Sequence, residues 1–406
     1  MLTDILASLL FPLKTLHSET IHPKLGEFFK SCCLRYTYVS DGSFREHDLA
    51  WFLYVISFPA LFLGTLRFAF LIFHVGHPFY STLLADFSFF MGQASFWFLL
   101  ACLVWFVAAL ISRVYSEISN YKVSYQEWMK SMIHLQHPEY SRDLSTQRGS
   151  KLTLLILRFN LIAGTICAAA VHLPIIIGFP IQWLPVTLAH TFFTAFHGYL
   201  VGCYEVNFTI LTGHYLYVYG RKHHRMASKA KLVAASTQSD YNEYFIRFLT
   251  KFKTRMISLS RDMVKINRFM APVSSIIFTG TFLNETLCLY LTFFVDIEGP
   301  PKYVIRFLGF LTILYGQVIY FIAGSYAQHR YDECVTQLHH LIEFKAMKIP
   351  LSLRIKSLIA SEYLTERKVF TLLETIDVST INFIKVQVEM TMLLLMLIGN
   401  VKRSYN

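Results

Sequence analysis

Four histidines, His172, His190, His197 and His214, lie in or beside long apolar stretches of this 406-residue chain. A membrane acyltransferase or a metal-dependent lipid enzyme would use histidine in such a setting, so catalysis is the first chemistry to weigh. The spacing argues against it. No His/Glu or His/Cys pattern marks a ligand set, and hydrogen bonding within a helix bundle accounts for each histidine. No Gly-rich phosphate loop, nucleophile elbow or pair of catalytic carboxylates stands out. Several of the seven cysteines sit inside apolar runs and none forms a CxxC pair. They predict packing residues rather than a disulfide framework or a zinc site. The expectation is a chain without enzymatic activity, metal or cofactor, with a lipid enzyme or transporter ranked behind a binding function.

Binding chemistry has better candidates. Arg67 and Glu285 stand within apolar runs, where an ionisable side chain must face protein or water. They either pair across the bundle or set the polarity of a ligand site. With the topology derived below, the outer halves of the helices collect Phe89, Phe90, Gln93 and Trp97, then His172, then His190, Phe193, Thr194 and His197. Asn284, Glu285, Tyr290 and Tyr315 complete the set. Aromatic walls with a few polar groups suit a small organic ligand, and the same residues would also serve as ordinary bundle packing. The run Arg221, Lys222, His223, His224 and Arg225 is accounted for by contact with lipid head groups, or more sharply by a specific anionic-lipid site.

The last stretch has a pattern of its own. Gln387, Thr391, Leu395 and Ile398 fall at i, i+4, i+8 and i+11 of a helix, with Thr380 and Ile384 on the same face. That face is polar toward one end and branched aliphatic toward the other. A water-facing stripe ending in Leu and Ile is what a pore with a dewetting gate requires if several subunits share an axis. Lys385 and Glu389, four apart, lie off the stripe and could neutralise each other. A seventh helix merely packed in the bundle is the alternative.

These residues need long membrane helices to position them. The chain is 54% hydrophobic and only 16% charged, where a soluble domain has about 25%. Apolar runs fall at Leu49 to Phe73, Phe87 to Ile111, Leu152 to Gly178, Val186 to Tyr219, Ala271 to Val295 and Tyr303 to Ala327. A less pure seventh spans Val378 to Gly399, about 33 Å at 1.5 Å per residue. Lys plus Arg number 5 before the first run, then 0, 6, 0, 12, 1 and 7 in successive links, and 2 beyond the last. This alternation puts the N-terminus in the cytoplasm and the C-terminus outside. It also assigns the formal charge of +11 to topology rather than to nucleic acid. The fold class expected is all-α: a polytopic membrane protein of seven transmembrane helices with a helical cytoplasmic anchor region.

The expected parts are a cytoplasmic segment 1–48, a six-helix bundle 49–327 with cytoplasmic extensions, an anchor segment 328–377, a last helix 378–399 and an extracellular tail 400–406. Leu6, Leu9, Leu10, Leu13 and Leu16 predict an amphipathic helix near the start. The sequons at Asn207 and Asn284 lie within spans, beyond the reach of glycosylation.

In length, span count, short outer links and long helical inner segments, the chain resembles the insect chemoreceptor superfamily, the arthropod gustatory and odorant receptors. The likeness is most specific near the end, where Phe370-Thr-Leu-Leu-Glu-Thr-Ile-Asp-Val-Ser is similar to the segment before that family's last helix. The family's helix then carries Thr-Tyr, five hydrophobic residues and Gln-Phe. Here Thr391 matches, Met392 replaces the Tyr, Leu393 to Leu397 supply the five, and Ile398 and Gly399 replace Gln and Phe. These departures mark a divergent member. The resemblance implies a gustatory-like receptor of the plasma membrane that acts as a ligand-gated, non-selective cation channel. Its implied partners are a small tastant or odorant, membrane lipids and related subunits in a homo- or hetero-tetramer. It also implies a constriction at Leu395 and Ile398, with Gly399 or Asn400 at the outer mouth. A seven-helix receptor that signals through a cytoplasmic partner without a pore is the alternative.

Overall fold

In hydrocarbon an apolar segment has no water for its backbone, and a helix satisfies every peptide group within itself. Among the residues that the computed structural model describes, the secondary structure is accordingly helical apart from two short hairpins. The structure describes residues 36–38, 44–46, 48–86, 88, 91–92, 94–118, 144–178, 180–235, 242–295, 297, 300–344, 349–372 and 376–405. The amphipathic helix expected around Leu6 to Leu16 lies outside these residues, as do Phe89, Phe90 and Gln93. Hairpin β1 (Tyr36–Tyr38) and β2 (Phe44–Glu46) comes first, then α1 (Asp48–Phe73), α2 (Pro78–Leu83) and α3 (Ala94–Ile118). Next come α4 (Leu144–Ala170), α5 (Leu173–Gly178) and α6 (Leu184–Val201). A π-helical turn, Gly202–Asn207, joins α6 to α7 (Phe208–Ala235). The chain continues through α8 (Asn242–Phe293), α9 (Pro300–Ile313), a second π turn (Leu314–Val318) and α10 (Ile319–Phe344). It ends with α11 (Leu351–Thr365), hairpin β3 (Thr371–Leu372) and β4 (Ile376–Asp377), and α12 (Thr380–Tyr405). Among the described residues six helices are long and apolar enough to cross a membrane, and α12 is one of them.

Several boundaries differ from the expected ones for local reasons. The second span starts at Ala94 rather than Phe87, because Gly92 takes φ 56°, a left-handed conformation that no helix interior accepts. The third breaks after Ala170, where Pro174 has no N–H to offer the Ala170 carbonyl. The fourth does not stop at Tyr219. Lys, Arg, Met and Ala favour the helix, and it runs on to Ala235. The helix α8 has 52 residues, about 78 Å at 1.5 Å per residue, more than twice a hydrocarbon core of about 30 Å.

The excess length is packed rather than loose. The helices α7 and α10 run side by side, and a Cβ at Gly220 would meet the Tyr326 ring at 2.7 Å and the Ala327 backbone at 3.2 Å. Glu333 of α10 accepts from Lys231 at 2.6 Å and from Arg330 at 2.8 Å, and His224 stands 3.7 Å away. The helix α11 is tied on by the Tyr331 hydroxyl donating to the Leu364 carbonyl at 2.8 Å. The Val369 N–H donates to Gln328 at 2.8 Å, and Asn267 of α8 donates to the Val369 carbonyl at 2.7 Å. The basic run after Tyr219 therefore belongs partly to this packed helical bundle. His223 is fully buried, its Nδ1 donating to the Tyr219 carbonyl at 3.0 Å while its own carbonyl accepts from Cys334 at 2.8 Å.

Burial pushes the His223 imidazole down from 6.5 to about 4. The unfolded chain then takes up a proton before the folded one does, so stability falls as the pH drops from about 6.5 toward 4. His223 should cost about 2 kcal/mol between pH 7 and pH 5. Replacing it with Asn, which keeps the donor but cannot titrate, should flatten that part of the pH dependence. Thermal unfolding of both proteins at the two pH values checks this, and equal slopes would count against it.

Candidate functional site

The helices α3, α4, α6, α8 and α9 and the two π turns surround a cavity of about 150 Å³. The helix α3 supplies Phe98, Trp105 and Phe106 to its wall, the second π turn supplies Tyr315, and the polar side chains among its neighbours are Asn160, Glu205, Thr194, Thr209, Thr281 and Thr312. The walls stay apart while the helices pack closely around them. At the α4–α6 crossing Gly198 lies against Gly164 and Ala168, and a Cβ there would come within 2.5 Å of the Ala168 Cβ. Both π turns border the cavity. A π turn adds a residue to one helical turn and redirects the side chains it carries, a device common at functional sites.

Glu205, on the first π turn, is 3% exposed, and its Oε1 has no hydrogen-bond partner. Asn160 lies close to the Tyr315 hydroxyl, but neither amide atom is in hydrogen-bonding geometry with a partner. Burying such groups unpaired costs about 1–3 kcal/mol each and more for a charge. A bound molecule could reverse that cost.

The residues expected from the sequence divide into separate groups. Thr194 and Tyr315 line the cavity. His172, His190 and His197 are held in a network outside it around Arg67. Arg67 donates to Thr194 at 2.9 Å and to the carbonyls of Leu84 at 3.0 Å and Ala85 at 2.9 Å. His172 Nε2 stands 3.4 Å from the Thr194 hydroxyl. His190 Nε2 donates to the Leu83 carbonyl at 3.1 Å and His197 Nε2 to that of Ala60 at 2.7 Å. Phe193 packs its ring 4.0 Å from that of His197. Trp97 packs edge-on to Tyr290 with centroids 5.3 Å apart. Asn284 is fully buried outside the cavity lining.

Arg67 does not pair with Glu285. Its acidic neighbour is Asp86, and a guanidinium next to the carbonyls that follow the short helix α2 complements that end of the helix. Glu285 is engaged elsewhere. The Gln317 amide donates to it, and Gln387 of α12 donates to the Gln317 carbonyl at 2.5 Å. This chain joins α8, the second π turn and the last helix.

Gln387, expected on the water-facing stripe, is half-buried beside the buried Val386 and donates to Gln317 of the same chain. Thr391 and Gly399 are exposed, Leu395 is 58% exposed, and Ile398 is half-buried. Lys385 and Glu389 also lie on open surface. The helix α12 continues through Asn400 to Tyr405, so the expected tail 400–406 is helical as far as Tyr405. Val378 is wedged against Gly324 at the start of α12 and fixes its entry.

Glu205, Asn160, Trp105 and Thr281 were not singled out from the sequence. A signal for Glu205 exists, since the rule that marks Arg67 and Glu285, an ionisable residue in an apolar run, applies to it equally. Among the described residues no group of three or more His, Cys, Asp or Glu could hold a metal ion.

No protein-family model matches the sequence, and no curated protein matches it. The structure is similar to that of the insect olfactory receptor OR5 from Machilis hrabei, with a TM-score of 0.66 at 9% sequence identity over 92% of this chain and 96% of that one. The fold is thus that of an all-α, polytopic membrane protein with the architecture of that receptor.

Proposed function

We propose that the chain is a chemosensory, gustatory-like receptor subunit that works as a ligand-gated, non-selective cation channel in the plasma membrane. In this reading a small organic ligand enters the outer cavity, and α12 lines a pore shared by four like or related subunits. The N-terminus is cytoplasmic, the C-terminus is outside, and residues 328–377 form a cytoplasmic anchor. One observation carries the proposal. The second π turn places Tyr315 on the cavity and Gln317, two residues later, on the last helix through Gln387. Ligand contact and the helix proposed to gate therefore meet in one π turn between α9 and α10. The exposed face of α12, with Val388, Met392, Leu395 and Met396 all more than half exposed, supports a helix that needs partner subunits.

The test is to record current from cells expressing the chain, alone and with related subunits, under a panel of small aromatic compounds. Cys167 lines the cavity from α4, so Cys167→Phe should fill the space. The expected result is an evoked current reduced at least tenfold with surface expression unchanged. A full current in the filled variant, or a C-terminal tag reached only after permeabilisation, would overturn the proposal.

A further inference from the structure

We infer that the cavity selects ligands that carry a protonated amine on a compact aromatic or apolar body, and that Glu205 is the residue that holds the amine. The inference rests on the ligand-gated reading of the same cavity and adds the chemistry of the ligand to it.

Three observations converge. Glu205 is a carboxyl group that lines the cavity with one oxygen lacking any hydrogen-bond partner. Among the described residues no Lys, Arg or His lines the cavity to balance it. The surrounding surface is almost wholly apolar, with Trp105, Phe106 and Tyr315 among the ring systems.

An isolated carboxylate in such a place is strongly disfavoured unless it is paired. Within the chain, the Tyr320 hydroxyl lies in electrostatic reach of Glu205 and accepts from Thr209 at 3.0 Å. That leaves the missing partner to be supplied from outside. A ligand ammonium brings the charge and the N–H donors together, and the ion pair forms whichever group held the proton beforehand. The ring faces then stabilise the cation further through their quadrupoles.

Size and coordination narrow the class. An apolar cavity of about 150 Å³ accepts a single benzene ring in a well-studied engineered case, which fits a one-ring amine. A hard metal ion is held by several anionic oxygens, and here one carboxyl stands among neutral amide and hydroxyl groups; among the described residues no group of three or more His, Cys, Asp or Glu could hold a metal ion. Anionic ligands would meet like charge. Neutral ones would fill the cavity but leave Glu205 unpaired.

The experiment compares 2-phenylethylamine, its uncharged isostere propylbenzene and the anionic 3-phenylpropanoate. Each is titrated calorimetrically into the purified full chain and into Glu205→Gln, which keeps the shape and removes the charge. The amine should bind the wild type tightest. Its affinity should fall about 10- to 100-fold in the variant, the range of a charge-assisted hydrogen bond. Propylbenzene should bind both proteins equally, which also shows that the variant is folded. If propylbenzene or the acid binds the wild type as well as the amine does, or if Glu205→Gln leaves amine affinity unchanged, the amine inference fails while the cavity stands. If none of the three binds, and Cys167→Phe has no effect on evoked current either, the ligand-gated reading itself fails.

Discussion

Replacing Gly316 with alanine is expected to lower the thermal stability of the helices around the cavity, by about 3 kcal/mol, the upper end of what inserted carbon costs in a packed core. A Cβ at this position would overlap the Cβ and Oγ1 of Thr281, and neither has room to yield. The Thr281 hydroxyl is held by the carbonyls of Ile277 and Phe278, each at 2.9 Å, and its backbone lies within the unbroken α8. The π turn that carries Gly316 is fixed on its other side by Gln317. The loss should show in thermal unfolding of the detergent-solubilised protein. Adding Thr281→Gly, which removes all the overlapping side-chain atoms, should recover much of it as a coupling of about 1–3 kcal/mol. An unchanged melting temperature in Gly316→Ala would mean that the two helices are not in the close contact described. Because both residues line the cavity, the variant should also disturb ligand response before it unfolds.

Gly316 illustrates what the sequence can and cannot convey. Apolar runs show where helices are, since hydrocarbon permits little else, and α1 begins at Asp48 within a residue of the expected Leu49. Polarity does not show where a helix ends. The composition changes after Tyr219, but α7 continues for four more turns to Ala235 because its residues still favour helix. Nor does a glycine in an apolar run reveal that another helix lies against it, or that the turn around it is π rather than α.

The same limit applies to the site. Spacing shows that Gln387 and Leu395 lie near one face, but the direction in which that face turns depends on neighbours. Leu395 is exposed while Gln387 is bonded inward, because π geometry brings Gln317 to meet it. Aromatic content points to a ligand site in general terms. The position of the cavity is set by which rings fail to touch, and this follows from the close approach at Gly198 and Gly164 and from the two π turns.

Replacing Gln317 with leucine is expected to separate ligand binding from current. Leucine occupies a similar volume, so the cavity two residues away should keep its shape, and calorimetric affinity for a cavity ligand should stay within about threefold. What is lost is the link from Glu285 to Gln387. Both groups are left facing apolar surface, at about 1–3 kcal/mol each, and α12 loses its polar tie to the π turn. A gating equilibrium biased through that tie would shift by about tenfold for each 1.4 kcal/mol, so evoked current should fall at least tenfold at saturating ligand. Gln387→Leu should give the same phenotype, and the double variant should add little, because both changes cut one chain of bonds. If Gln317→Leu and Gln387→Leu both leave evoked current intact, α12 is moved by some other contact, and Val378 against Gly324 becomes the next to sever. If instead binding and current fall together, the π turn belongs to the ligand site itself, and Tyr315 and Gln317 act as one unit.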